Sequence, residues 1–210
     1  MAGHTPAGSP NDRLAPGPLT RLGMRTVVDE MSVNVATMAE ALGRASLKAH
    51  VFERLLHMHS APAALVPTVE TLLDIALDTV PAEAASLMLV DAATGDLVVL
   101  SARGPVADKV KGLRLKMDEG IAGVAALHKQ ILPVSEVNRD PRFAREIAES
   151  LGFPVRSLIA VPILHQGSSE GVIELINRKG GDEFMAHEID ILEKLGRAAG
   201  VLLAPFAGRT

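Results

Sequence analysis

The sequence predicts an α+β domain, a mainly antiparallel sheet with helices on both faces, preceded by a long heptad helix. Three observations predict it. Strand-like runs come mostly in hairpin-spaced pairs. The runs at 155–166 and 171–178 are apolar on both faces, so the sheet they form needs cover on both sides. Ahead of the strands, Val28, Met31, Val35, Met38, Leu42, Ala45, Ala49, Phe52 and Leu56 follow one another in alternating steps of 3 and 4.

Taken in order, residues 1–25 are rich in Pro, Gly and Ala without hydrophobic periodicity and read as a disordered tail. Thr26 and Asp29 fit a loose capping box opening the heptad helix, assigned to 26–60. Such a helix would be roughly 50 Å long at 1.5 Å per residue. Its narrow stripe suits a dimerising, signal-carrying helix, so the chain's first expected partner is a second copy of itself. An amphipathic helix lying along its own domain is the alternative.

The folded domain is assigned to 61–206. A helix begins near Leu65 with Pro67 in its first turn, where the missing N–H does no harm, and turns Val69, Leu72, Leu73, Ala76 and Val80 inward. The runs at 85–90 and 97–102 form a hairpin around the turn cluster at 91–96. Residues 113–117 alternate like a half-exposed strand. Gly120, Ile121, Ala122 and Gly123 open a short helix whose unpaired N–H groups could face a ligand, or whose glycines could simply allow close packing. A short strand at 131–134 and a polar helix at 144–151, carrying Ile147 and Leu151 inward, lead to the hairpin around Gly-Ser-Ser-Glu-Gly at 167–171. A last helix is expected at 186–204, stopped by Pro205.

One residue breaks the strand pattern. Glu174 shares a strand face with Val172 and Ile176, and a carboxylate there is costly unless it is paired or borders a cavity.

Composition removes several function classes. Of 210 residues, 2% are aromatic, with no Trp or Tyr, so stacking platforms for single-stranded nucleic acid are lacking. The net charge of −4 favours no polyanion. No run approaches the ~20 apolar residues of a membrane span, and the N-terminus lacks the apolar core of a signal peptide. A cytoplasmic protein without membrane or nucleic-acid partners is expected. With no Cys there are no disulfides, thiolate metal sites or Cys nucleophiles. No metal site and no catalytic residue is assigned, because no Ser/His/Asp ordering, phosphate loop or metal motif is present.

The words ASLMLVD (85–91), DEGIAG (118–123), NRDPRF (138–143), RSLIAVPI (156–163) and GVIELINR (171–178), in this order and spacing, resemble the GAF domain family of ligand-binding signalling modules. The resemblance covers residues 65–203. It implies a GAF-like sheet with terminal helices on one face and, on the other, short elements roofing a small-molecule pocket. By matching the positions that contact ligand in cyclic-nucleotide-binding members, it implies pocket contacts from Ser86, Ile121, Ala122, Arg139, Asp140 and Glu174, with Phe143 beside them. The other reading of Ser86 is a packed small residue on a half-buried strand, and that of Arg139 and Asp140 is a cap for the helix after Pro141. Glu174 is either a ligand acceptor or a buried partner of a donor.

Those members also carry Asn-Lys, a Phe, then Asp-Glu. Here Asn177 and Phe184 remain, Arg178 replaces Lys, and Glu188 and Ile189 stand at the acidic positions, leaving room for an Arg178–Glu188 pair. The missing Cys excludes a covalently held tetrapyrrole and the thiol chemistry of the family's free methionine sulfoxide reductases. Seven His leave haem ligation as a minor alternative. The function expected is a non-catalytic, homodimeric sensor of a small molecule, a cyclic nucleotide among the candidates, acting on a separate signalling protein. The alternative is an interaction scaffold with a closed pocket.

Overall fold

The computed structural model describes residues 64–206 and, ahead of them, residues 43, 45–47, 49–51, 53 and 54. The tail and the seam positions Val28, Met31, Val35, Met38, Leu42, Phe52 and Leu56 lie outside the described residues. The chain divides into two compact units, 1–45 and 46–210. In the first, Gly43 and Ala45 are helical and exposed. In the second, the helical residues between 46 and 54 meet the domain through Leu47 and Val51, four apart and on one face. Val51 is buried, Arg54 is ion-paired with Asp78, and Ala49, the seam residue among them, is exposed.

Thirteen residues on from Val51, the domain proper starts. Helix α1 (Leu65–Thr79) buries Val69, Leu72, Leu73, Ile75 and Ala76, and it stops at Val80 because Pro81 disfavours a helical residue before it. Strands β1 (Ala82–Val90) and β2 (Leu97–Arg103) follow as an antiparallel pair. A single turn of helix, α2 (Ala107–Val110), leads to the two-residue strand β3 (Arg114–Leu115). The longer strand expected at 113–117 is thus cut short. Then come α3 (Gly120–His128), β4 (Leu132–Val134), a 3-10 turn (Val137–Arg139), α4 (Arg145–Leu151), β5 (Leu158–His165), β6 (Ser168–Arg178) and α5 (Ala186–Leu203). The sheet order is β3-β2-β1-β6-β5-β4, and every neighbouring pair is antiparallel.

The hairpin β5–β6 turns earlier than the Gly-Ser-Ser-Glu-Gly cluster suggested. Ser168 already pairs with His165, and the loop is Gln166-Gly167, with φ of 46° and 81°. Two positive φ values in a two-residue loop match the right-handed strand twist, so the backbone chose the tighter connection.

Strand alternation sorts the core into two layers. Leu87, Ile159, Val161, Ile163, Ile173 and Leu175 face α1 and α5. Met88, Val99, Leu158, Ala160 and Val172 face the short elements. Val155 packs with the second layer although Ile159, four residues on, faces the first, because Val155 precedes β5 and is not in its alternation.

On the first layer α5 lies directly on β5. A Cβ at Gly196 would stand 2.5 Å from the Pro162 carbonyl oxygen, and one at Gly200 would stand 2.0 Å from that of Leu164. Only glycine permits this approach. Arg178 and Glu188 do pair, with Nη2 to Oε1 at 2.8 Å, and Glu188 also accepts the Met185 N–H at 2.8 Å, closing the start of α5.

Candidate functional site

The second layer does not close. Between the sheet and a roof made of α2, the start of α3, Phe143, α4 and Phe153 lies a cavity of about 120 Å³. Its floor explains the hollow. Ala84, Ser86 and Ala102 are small residues at the centre of the sheet, and Ala160 lies beside them. Glu174 stands between Ser86 on β1 and Ala160 on β5 as its cross-strand neighbours. Two small flanks leave the long acidic side chain room to rise from the floor into the space.

Glu174 has one polar partner there. Ser86 Oγ donates to its Oε2 at 3.2 Å. The surface that the side chain retains borders the cavity, and the protein around it withholds bulk-water solvation. Burial therefore pushes its carboxyl up to about 7, and the Ser86 hydrogen bond pulls weakly the other way. The other ionisable lining residue, Arg103, turns its guanidinium to Asp74 of α1, at 3.1 Å, on the opposite face. The site is an apolar hollow with a single carboxyl in it, a combination common in binding sites.

Of the residues expected to contact ligand, Ser86, Ile121, Ala122, Phe143 and Glu174 line the cavity. Arg139 and Asp140 do not. Arg139 is 80% exposed at its side chain and bonds Glu136, while Asp140 is held by Arg142 through paired bonds of 2.8 and 2.5 Å. Arg142 keeps the Asp140 carboxyl below the usual carboxylate range. These charges organise the 3-10 turn and the loop before α4, and neither residue caps α4, whose N-cap is Ala144 without a side-chain cap.

Sequence reasoning missed Ala107 and Val110 on α2, Val106 just before it, and Phe153. The signal was present in the apolar residues that interrupt the polar stretch 104–112, spaced for one face of a helical turn.

Asn177 anchors the roof's far end. It is fully buried with φ of 57°, its Oδ1 accepts the Arg156 N–H at 2.7 Å, and its Nδ2 donates to Pro154 O at 2.8 Å and to Glu83 at 2.9 Å. The Asn177 amide, with Arg156 next, holds the Glu83 carboxyl below its usual value.

Among the described residues no three His, Asp or Glu come together as a metal site, and no helix is long and apolar enough to cross a membrane.

The GAF domain family model matches residues 64–203. Among curated proteins, the cGMP-specific 3',5'-cyclic phosphodiesterase of Drosophila melanogaster is 32% identical over 84 residues, which is 39% of this chain and 8% of that protein. The chain thus spans less than a tenth of that relative. Among solved structures, the GAF domain of a phosphoenolpyruvate-protein phosphotransferase from Coxiella burnetii superposes with a TM-score of 0.69 at 20% identity, over 80% of this chain and 97% of that one. The free methionine-R-sulfoxide reductase of Neisseria meningitidis, solved with its substrate, gives 0.62 at 19% identity, over 80% and 92%. At these identities the structural likeness speaks for the fold.

Proposed function

Because the chain belongs to the GAF domain family, we propose that it is a non-catalytic sensory module that binds a small molecule between sheet and roof and signals through a helical homodimer. The observation that carries this reading is the Glu174 carboxyl. It is withdrawn from bulk water, has one hydroxyl as its polar partner, and borders empty space. A core without a ligand to recognise would be more stable with an apolar residue there. The heptad seam supplies the output: a ligand that favours one roof position shifts the dimer toward the matching helix packing, by the difference of its affinities for the two states. A separate signalling protein then reads the dimer.

The exposed Ala49, opposite the Leu47 and Val51 contacts, supports a seam that is free to meet a second copy. The phosphodiesterase likeness makes cyclic nucleotides part of any ligand panel. The test is native mass spectrometry and sedimentation of the full chain. A dimer that Leu42→Glu converts to monomer, together with a co-purified or added small molecule, is the expected result. A monomer at tens of micromolar that no member of a panel of nucleotides, amino acids and neutral ring compounds stabilises would end the proposal.

The small volume of the cavity favours a second reading, an interaction scaffold whose pocket stays closed. On that reading Glu174→Ala alters stability and no binding event, while a charge at Met38 still abolishes assembly.

A further inference from the structure

We infer that the cavity's ligand is an uncharged, compact molecule, one ring or a short chain, that presents a single polar atom to the free Oε1 of Glu174. This inference rests on the sensory reading above and narrows it.

Three observations carry it. The first is size. At about 120 Å³ the cavity falls below the ~300–1,000 Å³ of drug-sized pockets, and it is close to the ~150 Å³ apolar cavity that accepts benzene. A nucleotide needs more room than the roof leaves.

The second is charge. No unpaired cationic side chain lines the space, since Arg103 is committed to Asp74. The N-terminus of α3 is preceded by Asp118 and Glu119, whose negative charges disfavour a further anion there. An anion therefore has no counter-charge. An ammonium brings three donors to a site that offers one free carboxyl oxygen, and leaving the others unmet in an apolar hollow is costly.

The third is the hydrogen bonding. Ser86 occupies Oε2, which leaves Oε1 for one partner. Near neutral pH the carboxyl is partly protonated, so Oε1 can donate to a carbonyl or accept from a hydroxyl.

Other charges do not complicate the titration. Glu83 on β1, His165 on β5, Glu170 and Arg178 on β6, Arg114 on β3, Asp108 and Lys109 on α2, His128 on α3, and Arg145, Glu146 and Glu149 on α4 all belong to the surrounding elements, and none lines the cavity.

The experiment is calorimetric titration of the full chain with four ring probes: phenol, cyclohexanone, benzoate and benzylamine, with cyclic GMP alongside. Phenol and cyclohexanone are expected to bind at pH 6 at least tenfold more tightly than benzoate or benzylamine. Cyclohexanone can only accept, so it needs the protonated acid. With the carboxyl at about 7, its affinity should fall about thirtyfold between pH 6 and pH 8.5. Phenol can donate to the carboxylate and should hold within about threefold. Glu174→Gln should keep phenol binding and abolish the pH dependence for cyclohexanone, while Glu174→Leu should weaken both ligands at least tenfold.

Equal or tighter binding of benzoate, benzylamine or cyclic GMP would overturn the ligand class and leave the sensory reading standing. If no probe binds and Ala148→Phe, which fills the roof, raises the melting temperature without changing any assembly, both fall.

Discussion

The two faces of one sheet are made by alternate residues of the same strands, yet they are built to different ends. On one face two long helices seal the core: α5 sits on the carbonyls of Pro162 and Leu164 through Gly196 and Gly200, and Ile173, Leu175, Leu192 and Leu195 are almost wholly buried. On the other, short elements span a floor of alanine and serine, α4 has no fully buried residue, and a carboxyl stands in the space beneath. The first face concentrates the apolar burial that holds a fold together. The second gives some of that up for a hollow. A single strand can therefore serve both, because its side chains alternate.

Substitutions on the two faces should separate these roles. The largest effect belongs to Gly200→Val, which would drive a branched side chain into the Leu164 carbonyl and should lower unfolding free energy by about 4 kcal/mol or prevent folding. A urea midpoint near wild type would show that α5 can lift from β5.

Next, Ile173→Ala on the sealed face should cost about 3 kcal/mol, against about 1 kcal/mol for Ile147→Ala in the half-buried roof. Equal losses in denaturant titrations would erase the contrast.

Glu174→Gln should act in the opposite direction. The folded carboxyl, at about 7, lies above its unfolded value of 4.5, so the folded state holds the proton more tightly. Below 4.5 the group is neutral in both states and neutral to stability. Between 4.5 and 7 the wild type loses stability as pH rises, and above 7 the penalty is constant at about 3 kcal/mol. The variant lacks this penalty, so its advantage should be near zero at pH 4 and greatest at pH 8. A difference that does not change with pH would contradict the buried placement of the acid.

Arg178→Met ranks below the Glu174 change. It leaves Glu188 without its partner, at 6% side-chain exposure, near the sheet's end. A loss of about 2 kcal/mol is expected. Chemical denaturation at pH 7 checks it, and a midpoint equal to wild type would show that the pair adds nothing.

The sealed face was largely legible in the sequence. Val69, Leu72, Leu73 and Ala76 declare α1 by spacing alone, and the two-sided apolar character of β5 required cover on both sides. Glu174 announced the hollow because a charge among Val172 and Ile176 needs a reason. What the sequence hid was the roof. Its elements are short and held by ion pairs and turns, such as the Asp140–Arg142 pair, and such contacts leave no periodicity. Arg139 and Asp140 matched a motif, but Arg139 points outward and Arg142 holds the Asp140 carboxylate within the loop. The turn at Gln166-Gly167 was misplaced for a related reason: glycine and serine mark a bend without fixing its register, which strand pairing decides.

The bare contact between α5 and β5 has a mechanical consequence. Where side chains separate a helix from a strand, small shifts are absorbed by changes of rotamer. At Gly196 and Gly200 no such cushion exists, and backbone rests on backbone. Pro162 lies two residues along β5 from Ala160, the strand neighbour of Glu174. A sideways push on the sheet at that point would travel as a rigid lever into α5, so that helix can register events at the far side of the sheet.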